Sequence, residues 1–247
     1  MMIQYNRSTF LHHPIALARF AFGDKQPLHE VMLLHSAKKL LGNRFDEKIA
    51  RQALQEIRSW EFVPMNQLPD VQLPGNRPTY LFGKFLYFIV RCAQPEVMVE
   101  TGVAHGVSSW TILNALHRNG KGKLYSIDLP NQDLRSYNPE NIRQGSGWVV
   151  PDLLRQRWEL RLGPSQELLP KLIAELGSID IFFHDSDHSY ENMLFEFRAV
   201  YQAVKKNGLI LSDDVHKNTS FTEFVAEKGI LGIQFATKGG AAVKNKD

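Results

Sequence analysis

From Tyr80 to its end the chain alternates short apolar segments with longer amphipathic ones, and this alternation restricts the fold more than any other feature. Val97–Thr101, Lys123–Asp128, Trp158–Leu162, Ile179–Asp185 and Gly208–Asp213 read as strands. Between them, Ser108–His117, Ser165–Leu176 and Tyr190–Lys206 carry apolar residues at helical spacing. Gly120 and Gly177 close the first two, and the third stops before Gly208. Strands separated by helices cross over rather than fold back on themselves. The expected fold is therefore α/β: a Rossmann-like, doubly wound, mostly parallel sheet with helices on both faces. Ile230–Lys244, with Lys238, Gly239 and Gly240 in its middle, reads as a C-terminal antiparallel hairpin that brings the sheet to seven strands.

The first third of the chain reads differently. His29–Leu41 and Asp46–Trp60 are amphipathic, the second with Ile49, Ala50, Ala53, Leu54 and Ile57 on one stripe. Pro64, Pro69, Pro74 and Pro78 then punctuate a polar stretch. Residues 1–79 are thus expected to be an N-terminal helical extension and linker, and 80–247 the α/β domain. The 247 residues, 43% hydrophobic and 22% charged, suffice for a real core. A net charge of +3 without basic runs makes nucleic acid an unexpected partner. The single cysteine, Cys92, can form neither an internal disulfide nor a cysteine-rich zinc site, so a reducing, cytoplasmic setting is expected. The longest strongly apolar run, near Phe85–Val90, is far below the roughly 18 residues that a bilayer crossing requires, so no membrane partner is expected.

Parallel strands send their carboxyl ends to one edge of the sheet, where open α/β folds bind ligands. Here Glu100, Asp128, Asp185, Asp213 and Asp214 end the strands. Asp favours turns after strands, which accounts for any one of them. Together they would raise one another's pKa unless a cationic ligand, a metal, or both sat among them. The loop from Glu100 through Gly102, Ala104 and Gly106 to Ser108 leaves a strand and enters a helix, so its backbone can approach a ligand closely. It lacks the GxGxxG dinucleotide pattern, and Glu100 would repel phosphates. S-adenosylmethionine, with a sulfonium, an ammonium and no phosphate, fits better. Glu100 would draw its methionine end, and Asp128 could accept both ribose hydroxyls.

These segments resemble the class I S-adenosylmethionine-dependent methyltransferases from about Tyr80 onward, with Val99 through Ser108 similar to their first motif. Gly163 to Pro170, Ile179 to Tyr190 and Leu211 to Val215 resemble more specifically the cation-dependent O-methyltransferases of the catechol and macrolide-sugar type. The resemblance implies that Asp185, Asp213 and Asp214 bind magnesium, with Asp185 bordering the cofactor as well, and that Ser165 and Gln166 lie by the adenine. Independently of the family, three carboxylates without a thiolate form a hard oxygen site suited to Mg²⁺ or another hard divalent cation. Such an ion would ease loss of a proton from a bound hydroxyl. Catechol enzymes carry a lysine base three residues after the first metal acid, where this chain has His188. An imidazole is a competent base at neutral pH, with His184 and His105 as rivals. Asp187 could add a ligand or cap a helix.

Residues 129–151 show no periodicity and contain Tyr137, Arg143, Gly145, Gly147 and Trp148, which favours a lid with Trp148 against adenine or substrate; covering the sheet edge is the simpler alternative. The expected activity is methyl transfer to a small hydroxylated acceptor. A metal-independent N- or RNA methyltransferase, a dinucleotide-dependent oxidoreductase and a non-catalytic binding subunit are the alternatives. The state of oligomerisation is open, a homo-oligomer included.

Overall fold

The computed structural model describes residues 2–5, 26–59, 78–129, 145–235 and 238–245. The strands are β1 (Met2–Tyr5), β2 (Val97–Thr101), β3 (Lys123–Asp128), β4 (Trp158–Leu162), β5 (Ile179–His184), β6 (Val204–Ser212), β7 (Leu231–Phe235) and β8 (Gly239–Val243). The helices are α1 (Gln26–Leu41), α2 (Glu47–Ser59), α3 (Pro78–Ala93), α4 (Val107–Asn119), α5 (Asp152–Arg155), α6 (Ser165–Leu176), α7 (Tyr190–Tyr201) and α8 (Ser220–Lys228). The strands form one sheet in the order β1-β7-β8-β6-β5-β2-β3-β4. β2, β3, β4, β5 and β6 run parallel, and β8 pairs antiparallel with both β6 and β7. The seven strands and terminal hairpin expected from the sequence are all present. An eighth strand lies outside them: β1 pairs parallel with β7, so the N-terminal part is not helical throughout.

Side-chain alternation explains why helices cover both faces. Met98, Ile181, Phe183, Leu209 and Leu211 point into a core shared with α1, α2, α3 and α4. Their neighbours Val99, Phe182 and Ile210 point the other way, into a core closed by α6, α7 and α8. The same alternation sends Glu100 to the first face, against α4, and Thr101 and His184 to the second, against α7.

Several segments end elsewhere than the sequence indicates. The helix read as Tyr190–Lys206 stops at Tyr201, and Val204 opens β6 opposite Ile179. Val204 is apolar and buried, so it satisfies the helical stripe and the strand equally; pairing with β5 decides between them. A bulge follows, because the next paired residue on β6 is Leu209, opposite Ile181. Asp185 and Asp213 lie just beyond their strands, their N–H groups donating to the carbonyls of Thr101 and His184 at 2.8 and 2.9 Å. Both acids are thereby fixed at the carboxyl edge.

The N-terminal helices are held to the sheet domain by a charged clamp as well as by apolar packing. Arg91 of α3 donates to both carboxylate oxygens of Glu56 on α2 at 2.8 and 2.9 Å, and Tyr87 donates to the same carboxylate at 2.7 Å. The Arg91 side chain is only 6% exposed, so removing its counter-charge strands a buried guanidinium. Glu56→Gln is expected to lower unfolding free energy by about 2–3 kcal/mol, below the full cost of a broken buried pair because Glu56 keeps some contact with water. Urea denaturation measures this; an unchanged midpoint would show that the clamp contributes nothing.

Candidate functional site

A cavity of about 500 Å³ opens at the carboxyl edge of β2, β3 and β5, within the size range of cofactor sites. Its floor is the loop from Gly102 to His105. Gly102 has φ +85°, and a Cβ there would lie 2.0 Å from the Asp185 carbonyl oxygen. Only glycine lets this loop pass against the end of β5. Gly106, at φ +96°, similarly admits Gly147, whose N–H donates to the Ala104 carbonyl at 2.8 Å. Residues 145–150 are therefore clipped onto the loop, and Gly145, Ser146 and Trp148 join the cavity wall. Trp148 thus faces the cavity as the lid reading requires; Tyr137 and Arg143 lie outside the described residues.

Of the residues singled out for the cofactor, Gly102, Ala104, Asp128, Ser165, Gln166 and Asp185 line the cavity. Asp128 accepts the N–H groups of Val103 and Ala104 on one oxygen, at 2.9 and 3.4 Å, and the Ser146 hydroxyl on the other. Gln166 donates to Asn192 at 2.6 Å, and Asn192 also lines the wall. Glu100, Gly106 and Ser108 are not among the lining residues. Glu100 is completely buried beneath the loop, where one carboxylate oxygen accepts the hydroxyls of Ser109 and Ser126 at 2.6 and 2.7 Å. The other, Oε1, has no hydrogen-bond partner among the described residues. Burial raises its pKa from the ordinary 4.5 to about 7, against the pull of the serines.

Asp185 also belongs to a second group. One ligand atom each of Asp185, His188 and Asp213 lie within 4.8 Å of one another. His188 Nε2 is 3.8 Å from Asp185 Oδ1, and neither His188 Nε2 nor Asp213 Oδ1 has a hydrogen-bond partner among the described residues. Burial, then repulsion by Asp213, Glu100 and Asp214, raises the Asp185 pKa well above the carboxylate range. Burial pushes His188 down to about 4, so its imidazole is neutral in ordinary buffers. Two carboxylates and a neutral imidazole with unpartnered buried atoms fit a divalent cation.

Asp214 is placed otherwise. Its backbone is left-handed, at φ +50°, and its carboxylate meets Lys217 at 2.7 Å and Lys238 at 2.8 Å. Burial alone would raise its pKa, but the two lysines outweigh that and hold it at about 2. Asp214 is not part of the group that offers close ligand atoms. Of the rival histidines, His105 lines the cavity and meets Trp148 edge-on at 6.2 Å. His184 is fully buried, its Nδ1 2.7 Å from Glu196. Asp187 accepts the backbone and hydroxyl of Ser189 at 3.1 and 2.7 Å, a turn ahead of α7. Cys92 is buried with its thiol pushed up to about 12, which removes it as a nucleophile.

Sequence reasoning missed Ser146, Asn192, Glu196 and the lysines. Asn192 had a usable signal: its amide falls in the first turn of a helix entered from an acidic loop. Glu196 had one as well, an acid on the buried stripe of α7, where it accepts from Thr101, Ser186 and Asn192 besides meeting His184.

Residues 99–215 match the family model described as a methyltransferase domain. Over 151 residues it is 24% identical to a catechol O-methyltransferase of Niastella koreensis, covering 61% of this chain and 63% of that protein. Over 140 residues it is 28% identical to caffeoyl-CoA O-methyltransferase 1 of Eucalyptus globulus, covering 56% and 52%. The matches thus span half to just under two thirds of those relatives' lengths. Among solved structures, the O-methyltransferase TomG of Streptomyces achromogenes in complex with SAM superposes with a TM-score of 0.51 at 16% identity, over 81% of this chain and 91% of that one. An O-methyltransferase of Bacillus cereus in complex with SAH gives 0.50 at 17% identity, over 81% and 92%. The fold is that of the class I methyltransferases.

Glu100 yields a prediction about stability. Between pH 4.5 and about 7 the folded protein holds a proton that the unfolded chain has released, so rising pH favours unfolding across that window. The loss totals roughly 3 kcal/mol. Glu100→Gln should abolish this contribution and be more stable than the parent at pH 8, with the two converging near pH 4. Chemical denaturation at several pH values checks it; a variant that is less stable at pH 8 would contradict it.

Proposed function

We propose that this methyltransferase-domain protein transfers a methyl group from S-adenosylmethionine to a hydroxyl oxygen of a small acceptor, with a hard divalent cation at Asp185 and Asp213. One observation carries the reading: Asp185 is at once a wall of the glycine-loop cavity and a member of the group in which ligand atoms of Asp185, His188 and Asp213 lie within 4.8 Å of one another. A cofactor in that cavity would therefore lie beside whatever oxygen the acids gather. The catechol and caffeoyl-CoA O-methyltransferases that the chain resembles point to an acceptor with adjacent oxygens.

Each residue has a task that follows from its place. The loop from Gly102 to Ala104 offers backbone at close approach, and Asp128 can receive ribose hydroxyls in the position now held by the Ser146 hydroxyl. Ser165 and Gln166 border the adenine end. Glu100 acts from beneath the loop, bracing Ser109 and Ser126 rather than touching the cofactor. Trp148 and His105 keep water from the sulfonium. When bound, the cation supplies Lewis-acid stabilisation of the acceptor's oxyanion. Asp185 and Asp213 orient the acceptor, with Asp214 behind them. The neutral His188 imidazole takes the hydroxyl proton and passes it to solvent. Catalysis is then mostly positioning: oxygen, methyl and sulfur in line.

Calorimetry should show S-adenosylmethionine binding, weakened at least about tenfold by Asp128→Ala, as expected for two lost hydrogen bonds. No binding by the parent protein would end the proposal. With a catechol as acceptor, excess chelator should abolish turnover and Mg²⁺ restore it. Full turnover in chelator would favour a metal-independent transferase.

A further inference from the structure

The charges around the paired acids after β6 are divided unevenly. Among the described residues, Asp185 has no lysine or arginine within ion-pair distance, and His188 lies 3.8 Å from it. Asp213 is split: its Oδ2 lies 3.5 Å from the Lys238 ammonium, while its Oδ1 is buried without a partner. Asp214 has cations near both oxygens, with Lys238 at 2.8 Å from one, Lys217 at 2.7 Å from the other and His216 at 3.8 Å. Lys238 does not reach this place by chance of a flexible surface chain. It enters β8 from the hairpin turn, its carbonyl accepts the Val215 N–H at 2.8 Å, and its side chain is only 23% exposed. The hairpin therefore carries an ammonium to the acids as part of the sheet.

We propose that Lys238 is a positioning residue of the metal site, a tethered cation that withholds Asp214 from the divalent ion and competes with that ion for Asp213. The inference rests on the metal reading above. A fixed positive charge beside a dication weakens its binding by direct repulsion and by occupying a ligand. An ion at this site is then held through Asp185 and Asp213, beside the neutral His188, and Asp214 serves to anchor the lysine. Lys238 thereby sets how tightly the ion is held, which decides whether it stays with the protein or arrives with the acceptor's oxygens.

Mn²⁺ binding to the full chain, read by electron paramagnetic resonance without substrate, tests this in four proteins: parent, Lys238→Gln, Asp214→Asn and the double variant. Lys238→Gln should bind Mn²⁺ about tenfold more tightly, the scale of one charge acting on a dication a few ångströms away in well-screened surroundings. Asp214→Asn should leave the parent's affinity within about threefold or tighten it by loosening Lys238. In the Lys238→Gln background the same change should cost about tenfold, because Asp214 is then free to ligate. Unchanged or weaker binding in Lys238→Gln overturns the inference while leaving the metal reading intact. Absence of Mn²⁺ binding in both the parent and Lys238→Gln overturns the metal reading and this inference with it.

Discussion

Negative charge gathered at the carboxyl edge of a parallel sheet is the constraint on which the rest of the structure depends. Parallel strands cannot spread their ends over the surface, so Asp128, Asp185, Asp213 and Asp214 are delivered to one rim by topology alone. The protein handles each differently. Asp128 is satisfied by backbone N–H groups and a serine, Asp214 by two lysines, and Glu100 by burial that keeps a proton on it near neutrality. Among the described residues, Asp185 has no lysine or arginine within ion-pair distance, and the inner oxygen of Asp213 has no hydrogen-bond partner. Two such carboxylates beside a neutral imidazole are a site in waiting for a cation.

The same edge explains why the glycine loop has its composition. Gly102 touches the carbonyl of Asp185, so the cofactor floor and the acid cluster are one rigid piece and not two features that happen to be near. Beneath them, Glu196 gathers Thr101, His184, Ser186 and Asn192 from β2, β5, the loop after β5 and α7. Burial would raise its pKa, but His184 and the surrounding donors outweigh that and keep it below the ordinary range. A buried carboxylate with that many donors locks the ends of β2 and β5 to the helix that covers them.

Much of this was legible in the chain. Strand positions followed from short apolar runs, and the acids at their ends followed from parallel topology. Asp185, Asp128, Ser165 and Gln166 were all placed at the cavity by spacing and resemblance. What escaped is non-local. Lys238 looked like a residue of a hairpin turn, and only pairing of β8 between β6 and β7 brings it to Asp214. Met2–Tyr5 is too short to announce a strand, and it exists because β7 offers an edge. Glu100 was expected at the ligand's methionine end; alternation turned it into the core against α4, a consequence of which face β2 presents and not of its distance from the loop.

The central claim is that one cavity unites the adenosyl cofactor with an ion held by Asp185 and Asp213. Anomalous diffraction from crystals grown with S-adenosylhomocysteine and Mn²⁺ measures it most directly. The account predicts a manganese peak within bonding distance of both carboxylates, with the cofactor's sulfur in the same cavity and its ribose at Asp128. A cofactor bound there with no manganese at the acids, or manganese at a site remote from the cofactor, would contradict it.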